Sequence, residues 1–466
     1  MERFLPLFTA VPLLAGFACL LLKRAAPRAA PALSVASMAT LLLLASAAAI
    51  RGEEGVAFAG GWGVRSSGEG SFVAGIALVL DGLSRLFLLL VAVVGTASAV
   101  FALRYLAPEE GLPLFHVLFN LLVAGMNGAL LAGDLFNLYV FLEVASLASV
   151  GLVAWRTGGA EVEAALKYLV LGTLSSAAIL LGITVLYAAT GFLNMADLSV
   201  AVSGGAVPRV PLLLAAGLFV AGFGMKTAAM PFHAWLPDAH PSAPAPISAM
   251  LSGLLIKTLG IYALLRVLPV VTGMDGDLRA VLTALGLLSM WGGVLLAQAQ
   301  DDLKRILAYH SVSQMGYVLV AVACGTWLGV AAGIFHAVNH GLFKSALFLS
   351  SGSLERVAGT RRLSGMGGLF RRAPATSAGL LGACLSISGV PPFNGFWSKL
   401  LILVALLSAG QPAMAGLAAG AALMTLVTFV KVQRKALFGP LPARLEGARE
   451  VPASMFLPVL ALVLLF

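Results

Sequence analysis

Glu143, Lys226, Lys257, Lys344 and Lys399 lie inside apolar stretches long enough to cross a membrane, and so does Arg85. A charge at the bilayer centre costs about 2.5–3.5 kcal/mol on insertion scales. A chain that keeps several such charges must gain from them, and the usual gain is the movement of ions or protons. Glu143 sits in Tyr139-Val140-Phe141-Leu142-Glu143-Val144-Ala145-Ser146, and a carboxylate stranded there without a partner would hold its proton. Lys226 comes one turn before Met230-Pro231-Phe232-His233-Ala234-Trp235, and Lys257 is in mid-stretch, 11 residues past Pro246 and 9 before Arg266. An amine kept from water can lose and regain a proton near neutrality. His336, His340 and Lys344 are spaced by four, so they share one helical face over about 12 Å. Histidine titrates near pH 7, and this stripe reads as a proton relay. Lys399 follows Phe396-Trp397-Ser398, where an exit group would stand.

Each residue also has a plainer reading. Glu143 and Lys226 would serve as an ion pair that only ties helices together, and Lys257 and Lys399 would snorkel to the interface. The depth of Lys257 argues against snorkelling; for Lys399 the alternative stays open. Asp81 and Arg85 are four apart, and the expectation is a structural pair. His233 and His310 fall near the ends of apolar stretches. His240 lies in a proline-rich connector where it could gate entry.

The magnitudes fit proton work. Two unit charges 4 Å apart in an effective dielectric of 20 attract by about 4 kcal/mol. That equals about three pH units of proton affinity. Moving one charge through 200 mV involves about 4.6 kcal/mol. Opening and closing one Glu–Lys pair is therefore the right size to exchange energy with a membrane potential.

The elements that must hold these groups follow from composition. The 466 residues are 60% hydrophobic and 11% charged, with a mean hydropathy of +0.99. Soluble domains are about 25% charged, so lipid must be the main solvent of this chain. At about 20 apolar residues per crossing, the sequence predicts fourteen spans. They fall near 4–22, 31–50, 75–103, 112–132, 135–155, 164–189, 210–230, 246–270, 280–299, 306–323, 327–352, 376–406, 412–436 and 452–466. The first is read as a retained helix and not a cleaved signal, and the last as one that reaches the chain end. The longest loops, 51–74, 191–209 and 353–375, are too short for a soluble domain. The expectation is one membrane domain over 1–466, multi-pass in the cell (inner) membrane.

The net charge of +9 is explained by the loops. Loops after odd-numbered spans carry about 18 Lys or Arg against about six on the other side. The positive-inside rule puts those loops in the cytoplasm and both termini outside. Nucleic acid is not an expected partner. Cys19, Cys324 and Cys384 are isolated, and the chain has no zinc-ligand spacing, no phosphate-binding loop and no nucleophile elbow. No cofactor, no metal and no catalytic residue is assigned, and any redox chemistry would come from partner subunits.

Two spans are interrupted, the seventh at Met230-Pro231-Phe232 and the twelfth at Ser388-Gly389-Val390-Pro391-Pro392-Phe393-Asn394-Gly395. Proline frees a carbonyl four residues back, and in lipid such a carbonyl needs protein or water, so breaks line cavities. A five-span offset links the two breaks. It also links Asp134-Leu135 with Asp302-Leu303, and Gly172 and Ser176-Ala177 with Gly341 and Ser345-Ala346. Five is odd, so the units would be inverted, as in many transporters. The fold class read from the sequence is an all-α polytopic protein of about fourteen helices, with two inverted five-helix repeats and broken helices 7 and 12.

At these motifs the chain resembles a known family. Met225-Lys226-Thr227-Ala228-Ala229-Met230-Pro231-Phe232-His233-Ala234-Trp235-Leu236-Pro237-Asp238-Ala239-His240 is similar to a segment of the antiporter-like subunits of respiratory complex I, Mrp cation/proton antiporters and membrane-bound hydrogenases. So are Asp302-Leu303-Lys304-Arg305, running on to His310-Ser311, then His336 through Lys344, and Val390 through Lys399. The resemblance implies five-helix units at 112–270 and 280–436. It also implies a polar axis in which Glu143 pairs with Lys226 and a path runs through Lys257 and His336–Lys344 to Lys399. Gly60-Gly61-Trp62 and the lysine at 399 look most like the D-type member of Mrp antiporters or the corresponding complex I subunit, and no lateral-helix extension is expected. The implied partners are other membrane subunits of a hetero-oligomeric antiporter or redox complex, the lipid bilayer, and H+ with Na+ as the alternative cargo. A self-contained carrier of an organic solute would show a substrate-sized polar pocket in place of titratable groups strung along several spans. A membrane enzyme would show a catalytic motif in an interfacial loop, and none is found.

Overall fold

The computed structural model describes residues 2–466 apart from 62, 68, 69, 108, 110, 206, 273 and 274. Trp62, part of the resemblance above, lies outside the described residues. Helices dominate. Eleven helices among the described residues are long and apolar enough to cross a membrane. They are α1 (Leu7–Leu21, joined to a short turn at Glu2–Phe4), α2 (Ala29–Arg51), α3 (Gly82–Tyr105), α4 (Leu112–Leu131), α5 (Leu135–Val153), α6 (Gly159–Thr190), α8 (Arg209–Lys226), the run Ala245–Val271, α12 (Gly276–Gln298), α13 (Leu303–Ala323) and α18 (Pro412–Val432) with its π-helical tail to Leu437. The helix α14 (Trp327–Ala358) is 32 residues long but carries a polar face, and α16 (Pro374–Ser388), α17 (Asn394–Ser408) and α19 (Ala453–Val463) are shorter. Short helices α7 (Met195–Ser203), α9 (Leu236–Ser242) and α15 (Leu369–Arg372) connect them. The run from Ala245 divides into α10 (Ala245–Met250), a π-helical segment (Leu251–Tyr262) and α11 (Ala263–Thr272).

Both expected interruptions are present. Helix α8 stops at Lys226 and the chain turns through residues 227–235 before α9, while α16 and α17 are separate helices on either side of Gly389–Phe393.

Two expectations fail near residue 80. The glycine-rich loop is not plain coil, so the protein is not strictly all-α. Strands β1 (Gly55–Phe58) and β4 (Ala77–Leu80) pair antiparallel, as do β2 (Val64–Ser67) and β3 (Gly70–Val73). The third span consequently begins as helix only at Gly82, with Asp81 as its N-cap in a reciprocal capping box with Ser84. Hydropathy alone joins an apolar strand to the helix that follows. Asp81 also does not pair with Arg85. It pairs with Arg266 of α11 at 2.5 Å, and Arg85 donates to the Glu53 carbonyl at 3.0 Å.

Loop contacts gather the connections at two ends of the bundle. At one end Leu78 bridges to Ala132, Asp134 to Asn194, and Val73 donates to Asp197. At the other, Arg156 pairs with Glu109, Lys167 and Arg305 with Asp238, Arg361 with Asp302 and Lys435 with Asp301, while Arg356 donates to the Arg104 carbonyl. This second end holds the loops that the sequence marks as basic.

Glycine sets the closest helix contacts. A Cβ on Gly316 of α13 would sit 2.5 Å from the Gly286 carbonyl of α12, so the two backbones touch. Gly217 of α8 has open space around it. Gly316→Leu should therefore lower the thermal midpoint of the detergent-solubilised protein by an amount matching about 1–3 kcal/mol of overpacking. Gly217→Leu should leave it unchanged. Equal midpoints for the two variants, read by fluorescence-detected size exclusion, would show that the α12–α13 contact is not tight.

Candidate functional site

The site is assembled from the ends and middles of helices that no sequence neighbourhood joins. Asp134 starts α5 by accepting from the Asn137 amide at 2.7 Å. Glu143 and Ser146 then follow one turn apart on α5, and Ser176 approaches from α6. Lys226 is the last residue of α8. Its Nζ lies 2.7 Å from Ser146 Oγ, 3.1 Å from Ser176 Oγ and 3.3 Å from Glu143 Oε1. Ser176 donates to the same carboxylate oxygen and to the Gly172 carbonyl. The Lys226 side chain is 4% exposed and that of Glu143 is 26% exposed, so the amine is the enclosed partner.

The chain beyond Lys226 turns at Ala228, whose φ of +54° is a left-handed conformation that alanine rarely adopts. Protein groups satisfy this break. Ala229 N donates to Gly224 O at 2.9 Å, Met230 N to Ser289 Oγ at 2.9 Å, and Trp235 Nε1 to Met225 O at 3.2 Å. Trp235 also stacks on Tyr168 with ring centroids 4.2 Å apart. A break in lipid would leave these groups without partners.

Lys257 lies in the π-helical segment and is fully buried. Gly253 and Gly260 bring that segment against its neighbours. A Cβ on Gly253 would meet the Gly341 carbonyl of α14 at 3.0 Å, and one on Gly260 would meet the Thr227 backbone at 3.0 Å. The Lys257 amine has no hydrogen-bond partner among the described residues. The Lys257 side chain is enclosed by protein and does not reach the surface of the chain.

On α14, His336, Asn339, His340 and Lys344 are all buried. His336 Nδ1 is 2.9 Å from Ser398 Oγ and its Nε2 is 3.1 Å from Gln314 Oε1. His340 has neither ring nitrogen partnered among the described residues. Lys344 Nζ donates to the Leu307 carbonyl of α13 at 2.5 Å. Lys399 Nζ donates to the Ile387 carbonyl at 2.6 Å and lies 5.5 Å from the centre of the Tyr317 ring. In an uninterrupted helix that carbonyl would accept from residue 391, which is proline and has no N–H. The break thus creates the acceptor that holds Lys399 inside. Lys399 is only 5% exposed, its amine held inside the protein.

Sequence reasoning misses several members. Lys304 is buried and donates to the Ala243 carbonyl at 2.8 Å. In the sequence it stands only as part of a motif at a span end. Ser146, Gln314 and Ser398 carry no sequence signal of their own, although Ser146 is one turn from Glu143 and Ser398 adjoins Lys399. His240 is enclosed, with its ring on Phe348 at 4.5 Å. No three His, Cys, Asp or Glu side chains converge among the described residues.

Residues 132–425 match the family described as "NADH:quinone oxidoreductase/Mrp antiporter, TM", and residues 67–116 match "NADH-Ubiquinone oxidoreductase (complex I), chain 5 N-terminus". The chain belongs to the NADH:quinone oxidoreductase/Mrp antiporter family. Among curated relatives, the N subunit of the NADH-quinone oxidoreductase of Desulforudis audaxviator is 40% identical over 83% of this chain and 80% of its own length. The D component of the Na(+)/H(+) antiporter of Alkalihalophilus pseudofirmus is 35% identical over 84% and 79%. Among solved structures, a chain of the Mrp complex from Dietzia sp. DQ12-45-1b superposes with a TM-score of 0.89 at 31% identity, covering 100% of this chain and 93% of that one. A chain of the membrane-bound sulfane sulfur reductase, an archaeal respiratory membrane complex, gives the same score and identity over 99% and 93%. Both are parts of multi-subunit membrane complexes, and this antiporter-like chain is a membrane subunit of their kind.

In this antiporter-like subunit, Ser146 provides the shortest contact to the Lys226 ammonium. A hydrogen bond to a charged group is worth about 1.5–3 kcal/mol. Ser146→Ala should lower the melting point of the solubilised protein by a matching amount, whereas Ser203→Ala, at an exposed helix end, should not. An unchanged melting point for Ser146→Ala would show that the Lys226 amine does not depend on this contact.

Proposed function

We propose that this chain is the proton-translocating subunit of a larger complex in the cell (inner) membrane, and that Glu143, Lys226, Lys257, His336, His340, Lys344 and Lys399 carry the proton. The observation that bears most of this reading is the 3.3 Å contact between Lys226 and Glu143, enclosed by protein at the point where α8 breaks. With the pair closed, the carboxylate holds the ammonium charged. With the pair open, the ammonium has no counter-charge and gives its proton to the next amine along the axis. Like charges repel, so a charge on Lys257 or on Lys344 disfavours a charge on the other and successive transfers push the proton onward. Lys399, in the second break, is the exit.

The same reading takes α14, the broken pair α16–α17 and α19 as crossings beside the eleven long apolar helices, which makes fourteen. It takes 112–270 and 280–436 as inverted repeats. Three backbone contacts support that. Leu135 N to Leu193 O, Met195 N to Gly133 O and the Asp134–Asn194 bridge have counterparts in Leu303 N to Arg361 O, Leu363 N to Asp301 O and the Asp302–Arg362 bridge. The chain offset is the same in all three, and the two sets lie at opposite ends of the bundle. The basic end is assigned to the cytoplasm by the positive-inside rule, with both termini outside. The cargo is H+. Exchange for Na+ is the second reading, supported by the relative described as part of a Na(+)/H(+) antiporter.

Neutralising either partner of the pair, by Glu143→Gln or Lys226→Ala, should abolish coupled transport in membranes while the protein still assembles. Glu143→Asp should keep part of the activity, because the charge remains although its reach shortens. Lys226→Arg should be poor, since guanidinium does not release its proton. Near-normal transport by an assembled Lys226→Ala complex would make the pair a structural tie and sink the proposal. Orientation has its own test. Arg362 is exposed at the basic end and the three natural cysteines are buried. A cysteine replacing Arg362 should react with a membrane-impermeant maleimide only after permeabilisation, and labelling of intact cells would reverse the assignment.

A further inference from the structure

His310 is a buried base that the path above leaves unused. It lies on α13, is fully buried, and neither ring nitrogen has a hydrogen-bond partner among the described residues. A polar group buried without a partner costs about 1–3 kcal/mol, and a phenyl ring at this place would avoid that cost. Among the described residues its ring contact is with Phe429 of α18, at 4.7 Å between centroids.

Its surroundings explain why a base is useful there. Helix α13 runs antiparallel to α14, so the two polar stripes face each other level by level. The Leu307 carbonyl, in the same turn as His310, receives the Lys344 ammonium. Gln314, one turn on, holds His336, and the Tyr317 ring lies under Lys399 and 5.7 Å from His336. His310, Gln314 and Tyr317 fall at i, i+4 and i+7, on one face over about 10 Å. That face therefore begins at Lys344 and ends at Lys399. His336, by contrast, has both nitrogens engaged, Nδ1 with the Ser398 hydroxyl and Nε2 with the Gln314 carbonyl oxygen.

We propose that His310 is a proton carrier between Lys344 and Lys399, on a rail formed by α13 beside the one formed by α14. An N–H bond of the Lys344 ammonium breaks and one forms on the His310 ring, leaving a neutral amine and an imidazolium. The imidazolium then passes a proton, through water bridging along the Gln314–Tyr317 face, to the neutral Lys399 amine and returns to its starting form. Bridging water is the one other participant, and it leaves each turnover unchanged.

This inference rests on the proposed function, so the experiment separates the two. Coupled transport and its solvent deuterium isotope effect are measured in membranes holding the assembled complex, for the natural chain, Lys344→Ala and His310→Gln. Lys344→Ala should abolish transport; if it does not, the proposed path fails as a whole. With Lys344→Ala inactive, His310→Gln should reduce transport at least tenfold and raise the isotope effect, because proton transfer becomes limiting. Transport within twofold of the natural chain overturns the carrier role. So does a loss of transport with an unchanged isotope effect, which marks a structural residue. If the glutamine variant does not assemble, His310→Asn is measured by the same criteria, and failure of both to assemble likewise overturns the proposal.

Discussion

Lipid offers no hydrogen bond and no counter-charge, and every feature of the site answers to that constraint. At 3.3 Å and an effective dielectric of 20, the Glu143–Lys226 attraction is about 5 kcal/mol. The effective cost of taking each ion from water is several kcal/mol. The two nearly cancel, so small contributions decide the state of the pair. The hydroxyls of Ser146 and Ser176 are those contributions. A pair bound much more tightly would be a permanent clasp, and one bound more weakly would not keep its charges.

The same constraint explains why the irregular backbone is buried. Helix breaks at 227–235 and 389–393 free carbonyls and amides that only protein can satisfy. The freed groups become the site's own ligands. Ile387 O holds Lys399 because Pro391 has no amide to offer it, and Met230 N is taken up by Ser289. Glycine makes this possible by letting backbone approach backbone, at Gly253 against Gly341 and Gly260 against Thr227. Charged residues that can reach water are instead sorted to the ends, where Asp238 ties Lys167 to Arg305 and Asp302 ties Arg361.

Much of the candidate site is legible in the sequence because a charge in an apolar run is rare enough to stand out. Glu143, Lys226, Lys257 and Lys344 can be named from that alone, and the proline-rich breaks announce themselves. The neutral members are not legible. Ser146, Ser176 and Gln314 are unremarkable in a helix until the residue opposite is known. Lys304 and His310 read as lying at span ends, because depth along a chain does not reveal what packs over it.

Composition and periodicity by themselves determined that the chain is helical, that lipid is its solvent, which loops are basic and where two helices break, since each depends on runs of adjacent residues. Motif likeness added the family. Tertiary structure alone decided the partners. Asp81 chose Arg266 over Arg85 because residues 77–80 pair as a strand and residue 81 caps the helix that follows, leaving its carboxylate to face α11 and not the next turn of α3. Lys344 found a carbonyl on α13, and His310 found no partner among the described residues. Partnership across helices depends on crossing geometry and glycine contacts, which residues far apart in the chain settle together and no local stretch records.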